Sequence, residues 1–450
     1  MKKSKKLLFS FAALGVVTTM IAVPALAASC TSGNTNAKTT DETKKQITIS
    51  NIKHSTNVNI SDEAKANKAI VITDAGHIDD LSFNQSAYEG IKAIIEDLGL
   101  SNDTPSIEPN SESQYEQIYT NILNTGFKYW ITVGFKHDTA IKKFYNEHKE
   151  EMQKKGIVII AVDYDASAPI INFETGDKVY DGIPTGYSIS LQYNTKESGW
   201  VAGYASAKFL STLPEEKRWV ASFGGGNFPG VTDFNEGFLK GIKAWNVENP
   251  TAKVKHQEDS QENKVNLNTG FVVGNKMNPI VQNILNGGSS KRVPTIILPV
   301  AGPATTVVVD NLKDDQYVIG VDVDQTNVVS TRKDHFFTSI TKGIGQSVYD
   351  VLEGLYSNNS AKLHGFVLGQ SNGHNVGNIA QNWTGVSKAN LETTEKTTKA
   401  QADLDAAMAK FQGLSETEKA YVNSLKAEEN GAEINNGQER LNKLVEIVNA

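Results

Sequence analysis

Short apolar, β-branched runs recur through the middle of the chain, and most are followed by stretches whose apolar residues step at helical spacing. The runs are AIVIT (69–73), YWITVGF (129–135), GIVIIAVD (156–163), RWVASFGG (218–225), PTIILPVA (294–301), YVIGVDVD (317–324) and FFTSITK (336–342). Runs this short and this apolar predict strands buried on both faces, and helix-length segments between strands predict parallel βαβ units. The body, 66–385, is long enough for two lobes of ordinary domain size. The expected fold is therefore α/β: two doubly wound lobes with a cleft between them.

The stretch 69–91 shows the unit most fully. Ala69–Thr73 reads as a strand, Asp74–Gly76 as its exit turn, and Ala87, Ile91, Ile94 and Leu98 as the core stripe of the next helix. Ser82 and Gln85 fit a capping box, which puts Phe83 at the first helical position. In an open α/β sheet this turn lies at the carboxyl end of the strand, where ligands bind, so Phe83 is expected at the mouth of a cleft. Asp79 and Asp80 read as helix caps rather than metal ligands, because no Ca²⁺-loop spacing follows them.

The ends of the chain change the picture. Lys2, Lys3, Lys5 and Lys6 precede an apolar stretch, Leu7–Ala27, which closes in Ala27-Ala28-Ser29 directly before Cys30, the only cysteine in 450 residues. This reads as a lipoprotein-type signal over 1–29 with Cys30 lipidated after export, and a transmembrane anchor is the competing reading. A lone cysteine also leaves no intramolecular disulfide to support the fold. Residues 30–65, lacking aromatics, are expected to form a flexible tether spanning roughly 30 Å. Beyond 388, Leu404, Met408 and Phe411, then Val422 and Leu425, then Leu441, Leu444 and Val448 mark three short amphipathic helices, the second opened by a Ser415/Glu418 capping box.

Charge and motif content exclude several functions. A formal net charge of −7 without a basic patch disfavours nucleic acid as partner. The glycine run 224–226 lacks the Lys-Ser/Thr pair of a phosphate-binding P-loop, and the eight histidines show no ligand spacing. Neither a Ser-His-Asp set nor a zinc set emerges, so no catalytic residue, metal or cofactor is expected.

The blocks DAGHIDDLSFNQSAYEG (74–90), GFKHDTA (134–140), IAVDYD (160–165), AGYASAKF (202–209), FNEGFLKGIKA (234–244), LPVAG (298–302), VIGVDVDQ (318–325) and TSITKGIGQSVYD (338–350) resemble, in order, those of the basic membrane protein (BMP) family, the PnrA-like nucleoside-binding lipoproteins. The resemblance implies a type I periplasmic-binding-protein fold, with a purine nucleoside enclosed between the lobes and delivered to the permease of an ABC importer. It implies lobe 1 over 66–180 with 339–366, lobe 2 over 181–338 with 367–387, and a helical extension over 388–450. It places Phe83 and Phe271 as the stacking pair, Asp74 at the base edge, and Asp163, Gly302, Asp322 and Lys342 around the ribose. Asp165 stands close enough in sequence to replace Asp163. Ala75 and His77 depart from the family pattern, and both, with Asn84, are possible contacts. The chain is read as a monomeric, lipid-anchored binding protein on the outer membrane face. The rival readings are a sensor or repressor on the same fold binding another small molecule such as a sugar, a nucleosidase, and a surface adhesin.

Overall fold

The computed structural model describes residues 47–450 apart from 57, 75, 102–104 and 172–176. The signal segment and Cys30 lie outside the described residues. The first lobe opens with α1 (Asp62–Lys65), β1 (Lys68–Ile72), α2 (Phe83–Leu98), β2 (Ser106–Ile107), α3 (Tyr115–Leu123) and β3 (Phe127–Val133). It continues through α4 (His137–Glu147), α5 (Lys149–Lys154), β4 (Val158–Val162), a hairpin of β5 (Ile170–Ile171) and β6 (Lys178–Tyr180), and β7 (Ser188–Tyr193). The second lobe follows as α6 (Thr195–Leu210), β8 (Trp219–Gly224), α7 (Pro229–Glu248), β9 (Lys255–His256), α8 (Met277–Leu285) and β10 (Ile296–Val300). It is extended by α9 (Gly302–Asn311), β11 (Tyr317–Asp322) and β12 (His335–Lys342). The chain then returns to the first lobe for α10 (Ile344–Ser357) and β13 (Gly373–Gly377). It crosses back for β14 (Thr384–Val386), β15 (Asn390–Leu391), α11 (Thr394–Gln412), α12 (Glu416–Asn423) and α13 (Gly437–Asn449).

The first sheet runs β13-β7-β4-β3-β1-β2, with every pair parallel; the second runs β14-β12-β11-β10-β8-β9, antiparallel only where β14 and β15 meet β12. Successive strand side chains point to opposite faces, so each sheet carries two cores. Ala69 and Val71 face a cluster with Ile91, Ile94 and Val348, whereas Ile70 and Ile72 face Tyr119, Trp130 and Phe144. The second sheet divides its side chains in the same way.

The sheets redraw the expected lobe limits. β7 extends the first lobe to Tyr193, β12 belongs wholly to the second sheet, and β13 joins the first sheet although 367–387 was assigned to lobe 2. Three crossings connect the lobes, at 193–195, 342–344 and 377–384. The described residues of 47–65, expected as part of the tether, are instead held on the first lobe. Glu89 accepts the backbone N–H groups of Ile49 and Ser50, Tyr349 holds Ser55, and Ile52, Val58 and Ile60 pack on the first core. These few apolar side chains and backbone bonds are enough to order 47–65 against α2 and α10.

The extension after 388 packs on the second lobe, α11 along α6 and α13 along α7. Leu404, Phe411, Leu441, Leu444 and Val448 are buried in the same cluster as Phe234 and Phe238. The capping box of Ser415 and Glu418 is formed.

Candidate ligand-binding site

The site begins where β1 ends. His137, fully buried at the start of α4, bonds through Nε2 to the Thr73 carbonyl (2.9 Å) and through Nδ1 to the Tyr119 hydroxyl (2.6 Å). That fixes the turn carrying Asp74. Asp74 Oδ1 accepts the Gly76 N–H (2.9 Å) and Asn84 Nδ2 (3.1 Å), and Asn84 Oδ1 accepts the Asp74 N–H (3.2 Å). Burial pushes the Asp74 carboxyl above its ordinary pKa, even though Asn84 and the Lys136 charge oppose the shift.

The capping box expected of Ser82 and Gln85 is absent, and Asp80 takes its place. Its carboxylate accepts the backbone N–H groups of Ser82 (2.9 Å), Asn84 (3.0 Å) and Gln85 (3.1 Å). Asp80 offers two acceptor oxygens where a hydroxyl offers one, so it satisfies more of the free helix-start donors. The Ser82 hydroxyl is thereby released, and it donates across the cleft to Asp322 Oδ2 (3.2 Å).

Two carboxylates face each other from opposite lobes. Asp163 follows β4 and Asp322 ends β11, and both hold left-handed backbone, φ 70° and 66°. Such a conformation costs about 1–2 kcal/mol for a residue with a Cβ. Here it turns both side chains toward Lys342, whose ammonium lies 2.9 Å from Asp163 and 3.8 Å from Asp322, with only 2% of its side chain exposed. Burial alone would lower the lysine pKa, but the charges of Asp163 and then Asp322 outweigh it and the net shift is upward. Asp322 is raised by burial, with Lys342 opposing and Asp163 adding. The ammonium is firmly charged, and Asp322 takes up a proton more readily than an ordinary carboxylate.

Aromatic rings form the rest of the wall. The cavity between the lobes holds about 780 Å³ of empty space including its mouth, and Phe83, Phe135, Phe228, Phe234 and Phe271 all line it. Phe135 of the first lobe stacks on Phe228 of the second with ring centroids 3.7 Å apart. A Cβ at Gly225 would stand 2.5 Å from the Phe271 ring, and one at Gly226 2.5 Å from the Phe228 ring. The glycine run is thus the floor under two phenyl rings.

Asp74, Phe83, Asn84, Asp163, Phe271, Gly302, Asp322 and Lys342 all line this one cavity. Asp165 does not; it is occupied by the Ser167 N–H and hydroxyl. His77 is set apart from the cavity, exposed and paired with Glu108 at 3.0 Å. Ala75 lies outside the described residues. At Gly302 a Cβ would also stand 2.7 Å from Ser82 Oγ of the other lobe, so the missing side chain lets the lobes approach there. Phe135, Lys136, Phe228 and Phe234 were not singled out from sequence. For Phe135 and Lys136 a signal existed, since they follow β3 at the carboxyl edge of the sheet.

Residues 67–265 match the Bmp family model, described as ABC transporter substrate-binding protein PnrA-like. The match covers less than half of the chain, and the chain is similar to that family there. The family is one of solute-binding proteins rather than enzymes. The ABC transporter nucleoside-binding protein BmpA of Lactococcus lactis subsp. cremoris is 27% identical over 179 residues, 39% of this chain and 43% of that protein. Basic membrane protein A1 of Borrelia garinii subsp. bavariensis is 23% identical over 309 residues, 68% of this chain and 77% of its own length. Among solved structures, an ABC transporter solute-binding protein from Aeropyrum pernix superposes with a TM-score of 0.54 at 16% identity, covering 79% of this chain and 89% of that one. That likeness establishes the type I periplasmic-binding-protein fold. Asp74, Phe83 and Asp163 fall inside the Bmp-matched region; Phe271, Gly302, Asp322 and Lys342 fall beyond it. Among the described residues no helix is long and apolar enough to cross a membrane.

Proposed function

We propose that this protein is the substrate-binding component of an ABC importer and that it captures purine nucleosides between its lobes. The observation that carries this reading is one cavity combining a buried Asp163–Lys342–Asp322 cluster with phenyl walls. Carboxylates accept hydroxyl protons through charge-assisted bonds, roughly twice as strong as neutral ones, and the ammonium donates to ring or hydroxyl oxygens. That is the chemistry of a ribose diol. Base–aromatic stacking contributes about 1–3 kcal/mol per base, so the stacking walls and the polar cluster together suit micromolar affinity, about −8 kcal/mol. Asp74 Oδ1 is held by Gly76 and Asn84, which leaves Oδ2 for a donor on the base edge.

In this reading Cys30 carries the lipid that holds the body at the membrane, and closure over the ligand presents the occupied form to the permease. Titration calorimetry with guanosine, inosine, adenosine, the free bases, ribose and arabinose tests the ligand class. Nucleosides are expected to bind and free bases and sugars to bind far more weakly. A free sugar binding as tightly as any nucleoside defeats the assignment, as does release of free base from bound inosine.

A further inference from the structure

The three crossings between the lobes are laced into one knot, and the C-terminal extension is tied into it. The Asn194 N–H donates to the Gly377 carbonyl (2.7 Å), Thr384 Oγ1 donates to the Asn194 carbonyl (3.2 Å), and the Gly343 N–H donates to the Trp383 carbonyl (2.8 Å). Glu197, one turn into α6 and 6% exposed, links further groups: Oε2 accepts the Ile379 N–H (3.3 Å) and Oε1 accepts Asn194 Nδ2 (3.1 Å). Asn423, at the end of α12, closes this triangle. Its Oδ1 accepts Asn194 Nδ2 (3.0 Å) and its Nδ2 donates to Glu197 Oε1 (3.1 Å).

The turn that presents Asn423 is firmly held on the second lobe. The buried Lys240 Nζ donates to the carbonyls of Tyr421 (2.9 Å), Val422 (3.0 Å) and Ser424 (2.9 Å) at the end of α12. Lys196, beside the first crossing, pairs with Glu236 (3.2 Å), and Glu236 pairs with Arg440 of α13. A second cavity, lined by Asn194, Lys196, Asp233 and Asn423, shares Asp163 and Gly230 with the ligand cavity. The extension therefore meets the hinge one residue layer from the cleft.

We propose that Asn423 is a positioning residue for lobe closure, so that the C-terminal extension sets the open–closed balance of the binding protein. The Asn194 and Glu197 bonds exist at the closed angle, the angle at which Ser82 reaches Asp322 and Lys342 reaches Asp163. Opening turns the backbone at Asn194 and stretches its bond to Asn423, while the Glu197 bond, within the second lobe, keeps Asn423 aimed at the crossing; loss of the Asn423 side chain therefore favours the open form. The affinity arm of the test rests on the nucleoside reading; the distance arm does not.

The test uses the full chain with Cys30→Ser, spin-labelled at Lys92→Cys and Lys313→Cys, exposed positions on the two lobes. Two variants are compared. Asn423→Ala removes the hinge bonds, and Val448→Ala removes packing from the same extension away from the hinge. Asn423→Ala is expected to add a longer inter-lobe distance in the ligand-free protein and to weaken guanosine about three- to fivefold, mainly through faster dissociation, with little change in melting temperature. Val448→Ala is expected to lower the melting temperature while leaving distances and affinity as in wild type. Unchanged distances in Asn423→Ala overturn the proposal, and so do effects in both variants that simply track lost stability. If no nucleoside binds wild type, the ligand reading falls while the distance arm still decides the hinge role.

Discussion

A non-glycine residue stays in left-handed backbone only where its surroundings over-determine it, and Asp163 and Asp322 are held there by the same lysine. Their carboxylates converge on one buried ammonium between the lobes, which is why they mark the site. Asp322→Ala and Phe83→Ala are each expected to weaken nucleoside binding at least tenfold while leaving the thermal transition cooperative; calorimetry giving wild-type affinity in both would refute the site. The cleft-side place of Phe83 was legible because a helix start can be read locally, whereas Asp322 was singled out only through the family resemblance. Phe228 was not legible: its place depends on stacking with Phe135 of the other lobe, a pairing no local pattern encodes. A second expectation concerns pH. Burial lowers the pKa of His137 to about 3 and that of His256 to about 4, against about 6.5 when unfolded. Between those values the unfolded chain binds protons that the folded one refuses. This contribution is therefore fully present above about pH 6.5 and is lost as pH falls toward 4. Asp74, Asp80 and Asp322, raised by burial, act with the opposite sign, but all three carboxylates remain in a His137→Gln/His256→Gln variant. Melting curves from pH 7 to 4.5 should drop less in that double variant than in wild type, and equal drops would exclude the imidazoles as the cause.

At the scale of elements, the strands legible in sequence were those buried on both faces, whose side chains are nearly all apolar. β7 escaped because SISLQY alternates serine with apolar residues, although Ser188 and Ser190 are both buried. Ser190 Oγ accepts the Ala166 N–H (3.0 Å), a tertiary contact that makes a polar strand residue acceptable in a core. β13, GHNVG, carries little strand propensity and forms because β7 offers it an edge. The helix start at Phe83 was placed correctly, and of the two caps read there Asp80 forms its bonds whereas the Ser82/Gln85 box does not. This matters for α9 as well. Ser82, freed from capping, reaches over Gly302 at the start of α9, where a side chain would collide with it. Gly302→Ala suits its own helical backbone and the open form but crowds Ser82 on closure. It should weaken ligand binding about five- to tenfold with melting temperature nearly unchanged, and Ser82→Gly in the same chain should restore most of the loss. Failure of that rescue would mean that Gly302 acts through something other than the lobe contact.

At the scale of the molecule, the two-lobed plan was readable from strand and helix alternation alone, whereas the lobe limits were not. A chain that crosses three times assigns late segments to either sheet, and only hydrogen-bond pairing decides which one receives 373–377. The N-terminal approach was misjudged because low apolar content suggested a free tether through 65, yet backbone N–H groups on Glu89 and three small apolar contacts hold it from residue 49 onward. This shortens the leash in the lipoprotein reading. If Cys30 carries the lipid, residues 31–46 alone separate the membrane from a docked chain, a reach of at most roughly 55 Å fully extended. The body would then work close to the membrane, within range of a permease. Cys30→Ser removes the only thiol that can be lipidated, and fractionation should move the protein from membranes to the soluble fraction with nucleoside affinity unchanged. A variant that remains in the membrane fraction would show instead that the uncut apolar stretch 7–27 is the anchor, and would assign no lipid to Cys30.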